Sequence, residues 1–168
     1  RTDSVMQLDL FTKKNLELVT TLNDHYGTSL FDILNKTSTS AGGRLLRRWI
    51  EEPLIAPDQI SLRLQATEEL FKNYLLRSSF ENLLDDIQDI ERIASRISCG
   101  SASPRDLVSL KNSLIRLPEI HQALRSCSNP LFQKYASDFD DLKDVADLIS
   151  ESILDAPSYL ARDGGVIR

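Results

Sequence analysis

SPRDLVSLKNSLIRLP, residues 103–118, decides how the whole chain is read. Ser103 can cap a helix. Pro104 suits the first helical position, whose N–H has no intrahelical partner in any case. Asp106, three residues after the cap, can return the cap's hydrogen bond. Leu107, Leu110, Leu114 and Leu117 then recur at helical spacing as one apolar stripe, which Pro118 is expected to break.

The same period extends in both directions. A short turn of helix is expected over residues 13–18, after an extended Met6-Gln7-Leu8. Ser29 opens a short apolar helix carrying Leu30, Phe31, Ile33 and Leu34. Thr37, Ser38, Thr39 and Ser40 form a polar cap cluster. The helix after it carries Leu45, Leu46, Trp49 and Ile50 on an expected buried face and ends at Pro53. Pro57-Asp58 starts another, with Ile60, Leu64, Thr67, Phe71 and Tyr74 on one stripe. Leu83, Leu84, Ile87, Ile90, Ala94 and Ile97 continue the pattern towards a stop at Gly100. Leu142, Val145, Ala146, Ile149 and Ile153 make the last stripe, with Asp141, Asp144, Asp147 and Glu151 on a solvated side and Ala156-Pro157 as its end. Gly164-Gly165 before Val166-Ile167 predicts a turn into an extended stretch. The fold class expected is all-α, an irregular multi-helix bundle, with residues 1–168 as one helical domain.

Composition agrees. The chain of 168 residues is 41% hydrophobic and 27% charged, with only six glycines and six prolines, a mix that favours soluble helix. It holds no run of the roughly 18 to 20 apolar residues that span a bilayer, so no membrane is expected as a partner. The first residues lack the apolar run of a signal peptide, and the chain starts with Arg rather than Met, as a piece of a longer protein would. Cys99 and Cys127 are too few for a disulfide framework or zinc site and read as reduced cytosolic thiols. Without a secretory signal, the acceptor pattern Asn35-Lys36-Thr37 reads as chance. The net charge of -5 argues against a main DNA-gripping module. A local basic patch of Lys36, Arg44, Arg47 and Arg48 stands beside the plainer reading of a solvated helix face.

Motifs for chemistry are missing. His25 and His121 have no Cys or His at metal spacing and read as structural histidines. There is no nucleophile elbow. Gly42-Gly43-Arg44 sits at a helix start that could hold phosphate, but the P-loop pattern is incomplete, and small residues permitting close approach are the favoured reading. The acidic run Asp85, Asp86, Asp89, Glu91 lacks the calcium-loop pattern and reads as a charged helix face. No catalytic, cofactor or metal residue is assigned, DNA-contacting residues are unknown, and no enzyme active site is expected in this chain.

Several stretches, in order and covering nearly the whole chain, resemble the core domain of bacterial-type MutS proteins. They are Leu8-Asp9 with Thr12-Lys13-Lys14-Asn15-Leu16-Glu17-Leu18, and Ser29-Leu30 with Leu34-Asn35-Lys36-Thr37. Gly42-Gly43-Arg44-Leu45-Leu46-Arg47-Arg48-Trp49 follows, with Pro53-Leu54. Then come Ile60 with Arg63-Leu64 and Glu68-Glu69-Leu70, and Asp89-Ile90-Glu91-Arg92 with Ser103-Pro104-Arg105-Asp106-Leu107. Arg162-Asp163-Gly164-Gly165-Val166-Ile167 closes the series. Phe11, Thr39-Ser40-Ala41 and Thr67 depart from the pattern at positions to which the family assigns no catalytic role.

The resemblance implies the core, or lever, segment of a DNA mismatch repair protein. Such proteins are dimers that clamp mispaired double-stranded DNA and use ATP, with Mg, to signal to downstream repair factors. This segment would lie between the mismatch-reading domain and the ATPase and form the first part of a discontinuous core, cut at the exit toward the lever helices and clamp. It would have no chemistry of its own and a cytoplasmic setting. Leu45, Leu46, Trp49, Leu110 and Leu114 would hold it rigid. The alternative is a free-standing all-α protein-interaction domain with an exposed apolar groove.

Overall fold

The structure, a computed structural model, describes residues 4–22, 27–158 and 164–168. His25, Arg162 and Asp163 lie outside these. Among the described residues there are ten helices and no strand beyond two isolated bridges, so the chain is all-α. The backbone packs as two compact units, Arg1–Glu68 and Glu69–Arg168.

The first unit holds α1 (Leu10–Asn15), α2 (Leu30–Leu34), α3 (Ser40–Glu51) and most of α4 (Pro57–Lys72). α1 starts earlier than residue 13 because Asp9 caps it, its carboxylate accepting the Thr12 N–H at 2.9 Å. It stops before residue 18 because Glu17 turns left-handed, φ 48°, and the Glu17 and Leu18 N–H groups bond back to Lys14 and Lys13. A Schellman stop is normally marked by glycine, so a glutamate there leaves no signal. The extended residues before α1 pair with the loop after α3, through the Val5–Leu54 bridge and a 2.7 Å bond from the Met6 N–H to the Pro53 carbonyl. Ser29 and Asp32 form a full capping box on α2, as the sequence predicts for Ser29.

Thr39 caps α3. The paired glycines follow because the preceding polar turn folds against the helix. A Cβ on Gly42 would lie 2.9 Å from Thr39 Oγ1 and 3.3 Å from Thr37 Cβ. Close approach is therefore the reason for the glycines, and the neighbour is the chain's own turn rather than a second helix.

The expected buried face of α3 is not buried. Leu45 is 46% exposed and Trp49 36%, and no residue of α3 is buried. On α4 the expected stripe is the outer one: Leu64 and Phe71 are 64% and 77% exposed, whereas Ala66 is buried and Leu62, Arg63 and Leu70 are half-buried. Two apolar stripes share that helix, and spacing alone does not say which turns inward. The Arg63 guanidinium lies 3.8 Å from the Trp49 ring centroid, a cation–π contact between α4 and α3.

The second unit holds the core. α5 (Tyr74–Asp85) and α6 (Ile90–Ser98) are separate helices, broken where Asp89 caps α6. α6 ends in a Schellman turn with Gly100 at φ 65°, the stop expected there. α7 (Pro104–Leu114) carries the predicted capping box of Ser103 and Asp106, with Pro104 in its first turn. Two helices not anticipated follow, α8 (Leu117–Ser126) and α9 (Pro130–Ser137), then α10 (Lys143–Ser152). Pro118 sits in the first turn of α8 rather than ending a stripe in a loop.

Leu110 and Leu114 of α7 meet Ile93 of α6 and Ala146 and Ile149 of α10, with Ile90, Leu107, Leu117, Val145 and Ile153 around them. On α6 the inward residue is Ile93. Ala94 and Ile97, placed on the stripe by spacing, are exposed. A second cluster joins Ile120 and Leu124 of α8 to Ala136 of α9, flanked by Phe80, Leu83 and Leu84 of α5 and by Ile87 in the connection after it.

Leu114, 2% exposed, is the most buried large apolar residue described. Leu114→Ala should lower the unfolding free energy by about 2–5 kcal/mol, the cost of lost burial plus a cavity. Leu64→Ala should change it by less than about 0.5 kcal/mol. Chemical denaturation of both variants would detect the contrast, and equal costs would refute this placement of the core.

Candidate functional site: a charged clasp on the C-terminal segment

The buried residues of α7 include Leu110, Lys111, Ser113 and Leu114, which lie on more than one face. Every polar group among them therefore needs a partner inside the protein. Ser113 is fully buried. Its hydroxyl donates to the Ser109 carbonyl at 3.0 Å and accepts the Gln88 N–H at 2.9 Å, tying the α5–α6 connection to α7. Lys111 is 6% exposed, and its ammonium reaches Asp155 Oδ1 at 2.5 Å.

Asp155 carries a second cation. Its Oδ2 accepts from Arg168 Nη2 at 2.8 Å, and Arg168 Nε donates to the Ile153 carbonyl at 3.2 Å. The backbone reinforces this. Ile153 and Ile167 form an antiparallel bridge, the Leu154 N–H meets the Val166 carbonyl at 2.9 Å, and the Arg168 N–H meets the Ser152 carbonyl at 3.1 Å. Gly164 and Gly165, at φ 72° and 64°, supply the left-handed turn that aims Val166 into the protein, where it is buried. The turn into an extended stretch expected at these glycines is present, and α10 ends at Ser152, ahead of Ala156-Pro157. The hydrogen bond from Lys111, then its charge and that of Arg168, hold the Asp155 carboxyl below its ordinary 3.8.

A similar device closes the start of α7. Arg96 Nη1 reaches Asp106 Oδ1 at 2.8 Å while Asp106 Oδ2 accepts the Ser103 N–H at 2.8 Å. The bonds from Ser103, chiefly, keep the Asp106 carboxyl below its usual value.

The residues weighed from sequence fall elsewhere. Arg47 and Arg48 pair with Glu51 and Glu52 at 3.7 and 3.8 Å along α3, Lys36 is exposed, and the cluster lies on a solvated helix surface. Asp86 binds Arg116 at 2.7 Å and Asp89 caps α6, so the acidic run marks a helix break rather than a helix face. His121 is half-buried, its Nδ1 2.9 Å from Asp141 Oδ1 and its ring against Phe139. Cys99 is exposed, Cys127 buried, and both are free thiols. Among the described residues no group of three His, Cys, Asp or Glu could hold a metal, and no helix is long and apolar enough to cross a membrane. Sequence reasoning missed Lys111, Asp155 and Arg168. One signal was available: Lys111 stands between Leu107 and Leu114 on their own face, where a lysine needs a buried partner.

These features define a helical scaffold segment that fastens its own C-terminal residues to its central helix. The model of MutS domain III matches residues 11–168, and the chain belongs to the MutS family. It is 43% identical, over 97% of its length, to the DNA mismatch repair protein MutS of Clostridium perfringens, of which it covers 18%. It is 45% identical to the same-named protein of Halothermothrix orenii over 97% of its length and 18% of that protein. For the Brevibacillus brevis protein the values are 42%, 97% and 19%. The chain thus spans about a fifth of the length of the curated relatives it matches.

Removing Asp155 leaves the buried Lys111 ammonium unpaired, whereas removing both charges does not. Asp155→Asn should lower the thermal midpoint at neutral pH, and most of that loss should vanish in a Lys111→Met background. Because the Asp155 pKa is depressed, its contribution is complete above 3.8 and lost as pH falls through the lower folded value, so wild type and Asp155→Asn should converge in strong acid. Equal costs of Asp155→Asn in both backgrounds would show that the pair is not coupled.

Proposed function

We propose that this chain is the domain III segment of a DNA mismatch repair protein and serves it as a transmission body, coupling the clamping of mismatched DNA to a separate ATPase. The observation that carries this is the match to MutS domain III over residues 11–168. In this reading the two compact units are the first portion of a discontinuous core, completed by later parts of the same polypeptide. The exposed apolar residues of α3 and α4, Leu45, Trp49 and Leu64 among them, suit such completion. ATP and Mg act in the parent protein, which works as a dimer, hands on to downstream repair factors and resides in the bacterial cytoplasm.

A close-packed helical body suits the task. Dense interiors resist gradual deformation, so a push at one end moves the element as a rigid piece. Nucleotide and DNA then bias one shared equilibrium. The clasp supports the reading for a directional reason: it fixes the register of residues 166–168 on α7 and α10, so displacement of that segment pulls on the core.

In the full-length protein, the double variant Lys111→Met with Asp155→Asn should keep mismatch binding while ATP turnover loses its response to mismatched duplex. An unchanged response, measured by steady-state hydrolysis with and without the duplex, would remove the clasp from the transmission path. The isolated chain should bind matched and mismatched duplexes alike, weakly and only at low salt. Tight, salt-resistant preference for the mismatch in a fluorescence-anisotropy titration would instead make this segment a DNA reader.

A further inference from the structure

Glu69 stands near the end of α4 and holds a turn far along the chain. Its Oε1 accepts the Ser128 N–H at 2.5 Å and its Oε2 the Asn129 N–H at 2.8 Å. Those amides join α8 to α9, just ahead of Pro130, which has no N–H. The turn is otherwise closed on itself. Asn129 Oδ1 accepts the Leu131 N–H at 2.8 Å, the Cys127 N–H reaches the Leu124 carbonyl at 3.1 Å, and the Gln133 amide donates to the Cys127 carbonyl. Cys127 and Asn129 are 2% and 8% exposed. The turn thus offers two N–H groups at a helix start, where an anion is favoured, and Glu69 supplies one oxygen to each.

The consequence comes from where α4 lies. The helix begins in the first compact unit, and its final residues, from Glu69 on, belong to the second. The contact between Glu69 and residues 128–129 lies wholly within the second unit. It fastens the arriving end of α4 by two directional bonds to a single carboxylate, which fail together when the carboxylate leaves.

We propose that Glu69 is a positioning residue, a latch that holds the last turn of α4 on the turn at 127–129 and opens as one discrete local step. Opening frees the Ser128 and Asn129 amides at once and takes the Glu69 charge away from the Cys127 thiol, whose Sγ donates to the Ala123 carbonyl at 3.4 Å. Burial, then the charge of Glu69, pushes that thiol up to about 11, so at neutral pH Cys127 is protonated and shielded while the latch is closed. The inference concerns the latch itself, and it can fail while the transmission role stands.

The test is peptide-resolved hydrogen exchange with mass-spectrometric thiol labelling by iodoacetamide on the full-length protein. In the wild type, exchange of the peptide over residues 125–131 and labelling of Cys127 should share one opening, with a weaker denaturant dependence than exchange in α7. Glu69→Gln keeps the size but can accept only one of the two bonds. It should speed both signals about tenfold, as expected for one charge-assisted hydrogen bond, and leave α7 unchanged. Leu114→Ala should speed α7 without that selectivity. Uniform acceleration of the second unit by Glu69→Gln, or none at 125–131, would overturn the latch. Wild-type amides 128 and 129 that open only with the whole unit would overturn it too, whether or not the variant folds.

Discussion

The second unit depends on the burial of α7. Leu110 and Leu114 pack between α6 and α10, and their positions force Lys111 and Ser113 inside with them. An apolar side chain accepts almost any apolar neighbour, but a buried hydroxyl or ammonium accepts only a partner at the right distance and angle. The leucines therefore supply cohesion and the polar residues supply register. Ser113 decides where the α5–α6 connection crosses, and Lys111 decides where Asp155, and with it Arg168, must lie. Among the described residues no buried side-chain nitrogen or oxygen is left without a partner, so these constraints are met together.

The first unit is built by other means. Among its described helical residues only Ala66 is apolar with little exposure, and its order comes from caps and a few pairings: the Asp9 cap, the Ser29–Asp32 box, Thr39 against the glycines, Arg63 over Trp49, and the Val5–Leu54 bridge. Capping bonds contribute about 1 kcal/mol each and define where helices begin, but they bury little apolar surface. Leu45 and Trp49, which carry the family pattern, are sparsely buried.

Much of the helical order was legible in the sequence. Ser103, Pro104 and Asp106 mark the start of α7 because capping is a short-range event among neighbours in sequence. Gly100 and Gly164-Gly165 are readable because positive φ is costly for other residues. The failures share a cause. Glu17 and Leu142 adopt positive φ with no glycine to announce it, and α8 starts at Leu117 with no side-chain cap. On α4 and α6 the spacing found real stripes, but inward and outward faces differ only through tertiary neighbours, which periodicity does not contain. The clasp was out of reach for the same reason: Lys111 and Asp155 lie 44 residues apart, and only the misfit of a lysine on a leucine face hinted at it.

The two kinds of joint in the second unit answer a displacement differently. Leucines on neighbouring helices are close-packed, so they resist gradual deformation, but their contacts are non-directional and specify no single partner. The Lys111 ammonium, itself buried, is held 2.5 Å from a carboxylate that faces solvent, a directional contact with one partner. It stays until the bond breaks, and it then leaves a charge with poor solvation. A segment fastened this way moves with the core or separates from it, with little in between. In the proposed role this adds to the stiffness of the packing: a movement carried by a bond that holds or breaks reaches α7 undivided.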